Sequence, residues 1–197
     1  MIILIILILL IAVLALIGRQ FSKQLSGKGR KWWRLLHFAF AIIYFSGVLG
    51  VLLLVITATK TNNIELIYAA HLFSKYCDWF MIIPGAFGSL LTGTWISVRT
   101  NWGLLNYYWV IVKVAGNLGA ILYGSTYMRE WFNETIALSS PGQINPLLNV
   151  LYTHNREMLI MGTIISLLIL TLLLIISVYK PWGKRELSQV FRPSPSQ

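Results

Sequence analysis

The feature that most constrains this chain is a series of apolar segments, each long enough to cross a lipid bilayer. Residues 1–18 form an unbroken run of Met, Ile, Leu, Val, Ala and Gly, and further segments follow at 32–57, 67–93, 104–127 and 157–179. A transmembrane helix needs about 20 predominantly apolar residues. With 57% hydrophobic and 11% charged residues, the sequence predicts an all-α membrane protein with five transmembrane helices.

The segments suggest a simple organisation. We expect the second to fifth spans to form an antiparallel four-helix bundle over 32–183, with the first span, 1–18, as an N-terminal transmembrane helix beside it. That first run has no charged segment before it and no Ala-x-Ala site after it, which indicates an anchor and not a cleaved signal peptide. A basic loop is expected at 19–31, an outer loop at 128–156 and a disordered cytoplasmic tail at 184–197.

The basic residues predict the orientation. The net charge is +10, and most Lys and Arg stand beside apolar spans, which indicates topology and contact with lipid, with no nucleic-acid partner expected. Eleven cations fall in segments of one predicted side and three in segments of the other. Because basic loops stay in the cytoplasm, we expect a multi-pass membrane protein with its N-terminus outside and its C-terminus cytoplasmic.

The third span carries charge inside an apolar helix. Lys75 and Asp78 lie one turn apart, and the fourth span carries Lys113. A charge at the centre of a membrane costs about 2.5–3.5 kcal/mol on insertion scales, so such residues face protein or water and mark function. Counting residues from the span ends places Asp78 and Lys113 near the midplane. We therefore predict an interhelical Asp78–Lys113 ion pair, with Lys75 as a second partner.

The three histidines are candidate haem b ligands. His37 lies near the inner end of the second span, His71 in the outer half of the third and His154 just before the fifth. Neutral imidazole is the commonest metal ligand and holds haem iron. Glycines that would admit a porphyrin recur on the spans, at Gly47, Gly50, Gly116, Gly119 and Gly162. Each histidine is equally well explained as a hydrogen-bonded structural side chain.

Depth limits how these ligands combine. His37 and His71 lie near opposite membrane faces, so we do not expect them to share one iron. Pairing of His71 with His154, Met158 or Met161 is geometrically easier, while His37 would need Tyr44, water or a second subunit.

Copper is the alternative metal. Cys77 and Met81 are four residues apart on one helix, and His154, Met158 and Met161 form a second set of soft ligands. Methionine in apolar helices is more often a packing residue. The sequence contains no nucleophile triad, phosphate loop or metalloprotease motif, so no enzyme activity is assigned.

Four motifs resemble a family of small bacterial proteins described as predicted integral membrane proteins of unknown function. They are LLHF with His37, DWFMIIPGAFGSLLTG from Asp78, TNWGLLNYYWVIVK ending at Lys113, and VYKPWG. The resemblance extends over about 33–183 and omits the first span and the long outer loop. It implies a four-helix core in a bacterial inner membrane and histidine and lysine at the positions of His37 and Lys113. It supplies no reaction.

Three functions are compatible with the sequence. The first is a b-type haem protein for electron transfer or for haem or redox sensing. The second is a cofactor-free carrier of protons or small solutes that uses the Asp78–Lys113 pair. The third is an accessory subunit of a larger membrane complex. A homodimer and a quinone or other redox partner stay open.

Overall fold

The structure is a computed structural model that describes residues 2–21 and 23–185. Within these ranges it contains seven α-helices. They are α1 (Ile2–Gln20), α2 (Gly27–Lys60), α3 (Ile64–Cys77), α4 (Ile83–Val98), α5 (Tyr108–Tyr123), α6 (Arg129–Ser139) and α7 (Val150–Tyr179). The all-α prediction is confirmed for the described residues, where the only β contact is the isolated bridge Tyr107–Lys184.

Two π-helical turns join neighbouring helices. Asp78–Ile82 connects α3 with α4, and Gly124–Met128 connects α5 with α6. The first turn has a cause in the sequence, because Pro84 has no N–H for the carbonyl of Phe80, four residues earlier. One residue earlier, the N–H of Ile83 bonds to the carbonyl of Asp78. This bond spans five residues, so the helix widens at that charged residue.

Four helices are long and apolar enough to cross a membrane: α1, α2, the joined helix Ile64–Val98, and α7. They match the first, second, third and fifth predicted spans. α5 has 16 residues and continues through the π-helical turn into α6. The fourth predicted span is therefore not among the four helices that are long and apolar enough to cross a membrane. Its place in the membrane stays a prediction.

The segment 128–156, predicted as an outer loop, is largely helical. α6 occupies most of its first half, and α7 already begins at Val150. Phe132 of α6 is buried against Leu159 of α7, so α6 belongs to the core. A helix thus occupies much of this connector, and its position outside the membrane stays a prediction.

Close backbone contacts join α2 to the helix Ile64–Val98. A Cβ atom built on Gly47 would lie 2.8 Å from Met81 Cβ, and one built on Gly85 would lie 2.6 Å from Tyr44 N. Small residues of this kind allow membrane helices to approach closely. Because lower residue numbers on α2 face higher numbers on the other helix, the two helices run in opposite directions.

The core consists of two apolar clusters. One contains Leu7, the only buried apolar side chain described on α1, together with Tyr44, Val48, Ala86, Leu90 and Ile121. The other contains Val51, Val55, Met128, Phe132 and Leu159. α1 contributes little else to the core and leaves most of its apolar surface exposed.

Hydrogen bonds join the α1–α2 connection to the residue that follows α4. Arg99 donates to the carbonyl oxygens of Phe21 and Gly18 at 3.1 and 3.4 Å. Leu25 N donates to the carbonyl of Arg99 at 3.1 Å. We call this end of the bundle the basic end, because it gathers segments predicted to be cytoplasmic.

The start of the predicted tail also lies at the basic end. Arg185 N donates to the carbonyl of Asn106 at 2.8 Å, and Lys184 bridges to Tyr107. The rest of the tail, 186–197, lies outside the described residues, so its predicted disorder stays a prediction.

Candidate functional site

The predicted Asp78–Lys113 ion pair is not formed, because each residue has another partner. Lys75 Nζ lies 3.6 Å from Asp78 Oδ2, and Lys113 Nζ donates to Ser177 Oγ at 2.8 Å. Counting residues gives the depth of a side chain but not its direction around the helix axis. Lys75 is three residues from Asp78 and therefore on the same helix face, so it is the nearer cation.

The three histidines lie in three different environments. His71 is completely buried, with Nε2 3.0 Å from the hydroxyl of Tyr152 and the two rings edge to face. His154 is exposed, and His37 is half-buried. The three histidines thus differ in their surroundings, and Tyr152 already hydrogen-bonds to one ring nitrogen of His71.

The remaining parts of a haem or copper site are also dispersed. Met161 is 55% exposed and Met158 is half-buried, while Cys77 packs against Gly50 of α2. Glycines predicted to admit a porphyrin face neighbouring side chains: Gly47 faces Met81, Gly116 faces Leu173, and Gly162 faces Met128 and Tyr123. Among the described residues, no three His, Cys, Asp or Glu side chains form a metal-ligand group.

A cleft of about 340 Å³ opens in the side of the bundle between α2 and α7. Its rim contains Phe38, Ile42 and Leu174, whose side chains are about half exposed, at 54%, 49% and 51%. These residues belong to the apolar lateral surface, so the opening faces lipid in a membrane. We call this cavity the side cleft. Its lining spans 37–46 of α2 and 170–177 of α7, together with residues of α4 and α5, and lies toward the basic end.

The floor of the side cleft is polar. It contains His37, Ser89, Lys113, Asn117 and Ser177, contributed by α2, α4, α5 and α7. No described carboxylate lies within 4.0 Å of Lys113. Lys113 is therefore a cation in an apolar setting whose one hydrogen-bonding partner, Ser177, is neutral.

Hydrogen bonds fix the orientation of two groups in this floor. Thr92 Oγ1 donates to the carbonyl of Gly88 at 2.6 Å, so it can only accept from His37 Nδ1, which is 2.9 Å away. In the neutral imidazole the proton is thus on Nδ1, and Nε2 carries a lone pair. No described group bonds to Nε2.

Asn117 is fixed in the same way. Ser89 Oγ donates to the carbonyl of Ala86 at 3.0 Å and accepts from Asn117 Nδ2 at 3.1 Å. The amide oxygen of Asn117 is left buried without a donor. Asn117 also lines a second chamber of about 60 Å³, together with His37 and Lys113, which is large enough for ordered water.

A larger cavity of about 420 Å³ lies farther from the basic end. Lys75 and Asp78 line it together with Arg129, and Lys75 Nζ also lies 5.3 Å from the ring centre of Phe132. We call it the outer cavity. Tyr44, which is 5% exposed, lines both this cavity and the side cleft.

The sequence reasoning missed Thr92, Tyr152 and Ser177. Thr92 and Ser177 are single hydroxyls in apolar helices and resemble packing residues. Tyr152 lies in the segment that was predicted to be a loop. Of the three, only Thr92 could have been identified from the sequence pattern, because it shares a helical face with Ser89.

Comparison with known proteins gave no match, neither to a protein-family model nor to a curated protein nor to a solved structure. The family resemblance of the sequence motifs therefore stays a prediction.

Proposed function

We propose that this protein is a cofactor-free carrier that takes a small amphipathic solute from the lipid phase into the side cleft. The observation behind the proposal is the cleft itself, with its apolar walls, its lipid-facing rim and Lys113 in its floor. Sites for small molecules have volumes of about 300–1,000 Å³ and mostly apolar walls with a few polar groups. The side cleft, at about 340 Å³, has these properties.

The outer cavity supports carriage over simple binding. A carrier presents its site alternately to the two sides of the membrane, with the site near the midplane. The side cleft and the outer cavity occupy different halves of the bundle, and Tyr44 borders both. In this proposal Tyr44 separates the two positions that a solute occupies.

The proposal includes a five-span antiparallel bundle in a bacterial inner membrane, with the N-terminus outside and the basic end in the cytoplasm. Cys77 is the single cysteine, so Cys77→Ser gives a background for labelling. In intact cells, a membrane-impermeant maleimide should label Gly142→Cys and should label Lys28→Cys only after permeabilisation. The opposite pattern would reverse the orientation.

Carriage is tested in proteoliposomes with an NBD-labelled dodecyl phosphate, whose charged head crosses lipid slowly and has both an accepting oxygen and an O–H. Dithionite bleaches the outer leaflet, and protein-dependent movement then exposes the protected inner half. We expect the wild-type protein to accelerate this second phase and Ala41→Trp, which fills the side cleft, to return it to the rate of protein-free liposomes. Leu53→Trp is the matched control, because Leu53 is 67% exposed on the same helix and lines neither cavity.

Two results would contradict carriage. One is a wild-type rate equal to that of protein-free liposomes. The other is an equal loss of rate in the Ala41→Trp and Leu53→Trp variants, which would show that the side cleft is not the route.

Haem b binding is a second candidate, now limited to His37. Its Nδ1–H bond to Thr92 leaves Nε2 free, which is the arrangement that a metal-bound histidine usually shows. A bound haem would supply one-electron redox chemistry. Haem-replete expression should then give a Soret band that His37→Ala removes and His71→Ala retains. A wild-type spectrum without that band would reject this candidate.

A further inference from the structure

The side cleft combines a cation and a proton acceptor at the bottom of an apolar channel. Lys113 Nζ has three N–H donors, of which Ser177 takes one. His37 Nε2 has a lone pair and no described partner. A ligand head that suits both groups must accept a hydrogen bond from Lys113 and donate one to His37.

This pattern selects among amphipathic heads. A cationic head is repelled by Lys113, and an ester or ether has no proton for His37. A carboxylic or phenolic head has both an accepting oxygen and an O–H. If the proton moves from the ligand oxygen to His37 Nε2, the ligand becomes an anion beside Lys113, and the total charge of the complex is unchanged.

We propose that the side cleft binds a membrane-soluble weak acid, with its carboxylic or phenolic head between Lys113 and His37 and its apolar chain along α7. This inference rests on the proposed function and specifies its solute class. The chain would lie against Leu170, Leu173 and Leu174, which form one wall of the cleft. The lateral rim gives such a molecule a route from the bilayer that avoids water.

The missing counter-charge supports an acidic ligand. Lys75, which is buried, has Asp78 at 3.6 Å, whereas Lys113, which is half-buried, has no described carboxylate within 4.0 Å. A charge held in an apolar environment is stabilised when it is paired. An acidic ligand would give Lys113 the partner that Lys75 has within the chain.

The test is saturable binding to the full-length protein in nanodiscs. The probes are tritiated dodecanoic acid and 4-dodecylphenol, each compared with its methyl derivative, methyl dodecanoate or 4-dodecylanisole. Methylation keeps the chain and an oxygen acceptor but removes the acidic proton. We expect at least one parent acid to bind about tenfold or more tightly than its methyl derivative, since hydrogen bonds to charged groups are the stronger class. Which parent binds identifies a carboxylic or a phenolic ligand.

Variants locate the head group. Lys113→Met and His37→Leu should each weaken binding of the parent acid about tenfold, and Lys113→Arg should preserve it. Lys60→Met removes an exposed lysine that lines neither cavity and should leave binding unchanged, and Lys75→Met tests the outer cavity separately. Circular dichroism and gel filtration confirm that each variant is folded before it is scored.

The outcomes separate this inference from the proposed function. If parent and methyl derivatives bind equally, and Ala41→Trp abolishes both, the cleft binds amphipathic molecules but the acid inference is wrong. If no probe binds saturably to the wild-type protein, both are wrong. Binding that Lys75→Met weakens as much as Lys113→Met would place the acid in the outer cavity and also overturn the inference.

Discussion

The Lys75–Asp78 pair gives the sharpest test of the charged interior. Asp78→Asn removes the carboxylate charge and leaves Lys75, which is 8% exposed, without its counter-charge. Lys75→Met likewise leaves the Asp78 carboxylate without its counter-charge. The double variant removes both charges and keeps similar side-chain volumes.

The expected magnitude follows from the geometry. At the observed 3.6 Å, Coulomb's law with an effective dielectric constant of about 20 gives an attraction of about 4–5 kcal/mol. Removal of one member of a buried pair typically costs about 3–5 kcal/mol, whereas replacing both members is often close to neutral. The two side chains are only 10% and 18% exposed, so solvent screens them weakly. We expect each single variant to lose about 3 kcal/mol and the double variant to recover most of that loss.

The assay is reversible unfolding by SDS in mixed micelles, followed by circular dichroism, for all four members of the cycle. A second cycle that combines Asp78→Asn with Lys113→Met is the control. It should be additive within about 0.5 kcal/mol, since these residues have separate partners. Additivity in the first cycle and coupling in the second would refute the structural pairing and restore the ion pair predicted from sequence.

Four further substitutions test packing and the hydrogen bonding of polar groups in the same SDS assay. Tyr152→Phe should cost about 1–3 kcal/mol, because it leaves the fully buried ring of His71 without a partner; an unchanged midpoint would show that this hydrogen bond contributes nothing. Gly85→Ala should cost about 1–3 kcal/mol, since its Cβ would meet backbone 2.6 Å away. Gly119→Ala, with open space around it, should stabilise the helix by several tenths of a kcal/mol. Equal effects of the two changes would contradict the close approach of α2 and α4. Asn149→Ala should cost about 0.5–2 kcal/mol, because the side chain caps α7 by accepting from two backbone N–H groups, and a neutral result would place the start of the helix elsewhere.

Apolar length and charge predicted the helices well but could not predict side-chain partners. The spans at 1–18, 32–57 and 67–93 all coincide with helices of the structure, because each must satisfy its backbone within a single segment. Partners depend on rotation about the helix axis, which a residue count does not fix. Lys113 and Ser177 are 64 residues apart on different helices, and nothing in the local sequence of either indicates the other.

For the segment 128–156, composition alone did not predict the helix. Glu130 and Glu134 have a helical spacing and do not prevent a helix, although they lower the mean hydropathy of the segment. The structure uses Glu134 to accept a hydrogen bond from Asn155, which joins α6 to α7. A polar contact between two helices and a solvated loop have similar compositions, so composition alone does not distinguish them.

Buried Lys75 and half-buried Lys113 differ in a way that bears on function. Lys75 is neutralised within its own helix turn by Asp78, and the chain needs no further partner for it. Lys113 has only a hydroxyl, although the helix carrying it could have placed a carboxylate one turn away at Asn117. An amide at that position stabilises the floor through Ser89 without cancelling the positive charge. A charge that no described carboxylate neutralises is costly to the empty protein and is stabilised when an anion binds, which is why we propose ligand binding for Lys113 and a structural role for Lys75.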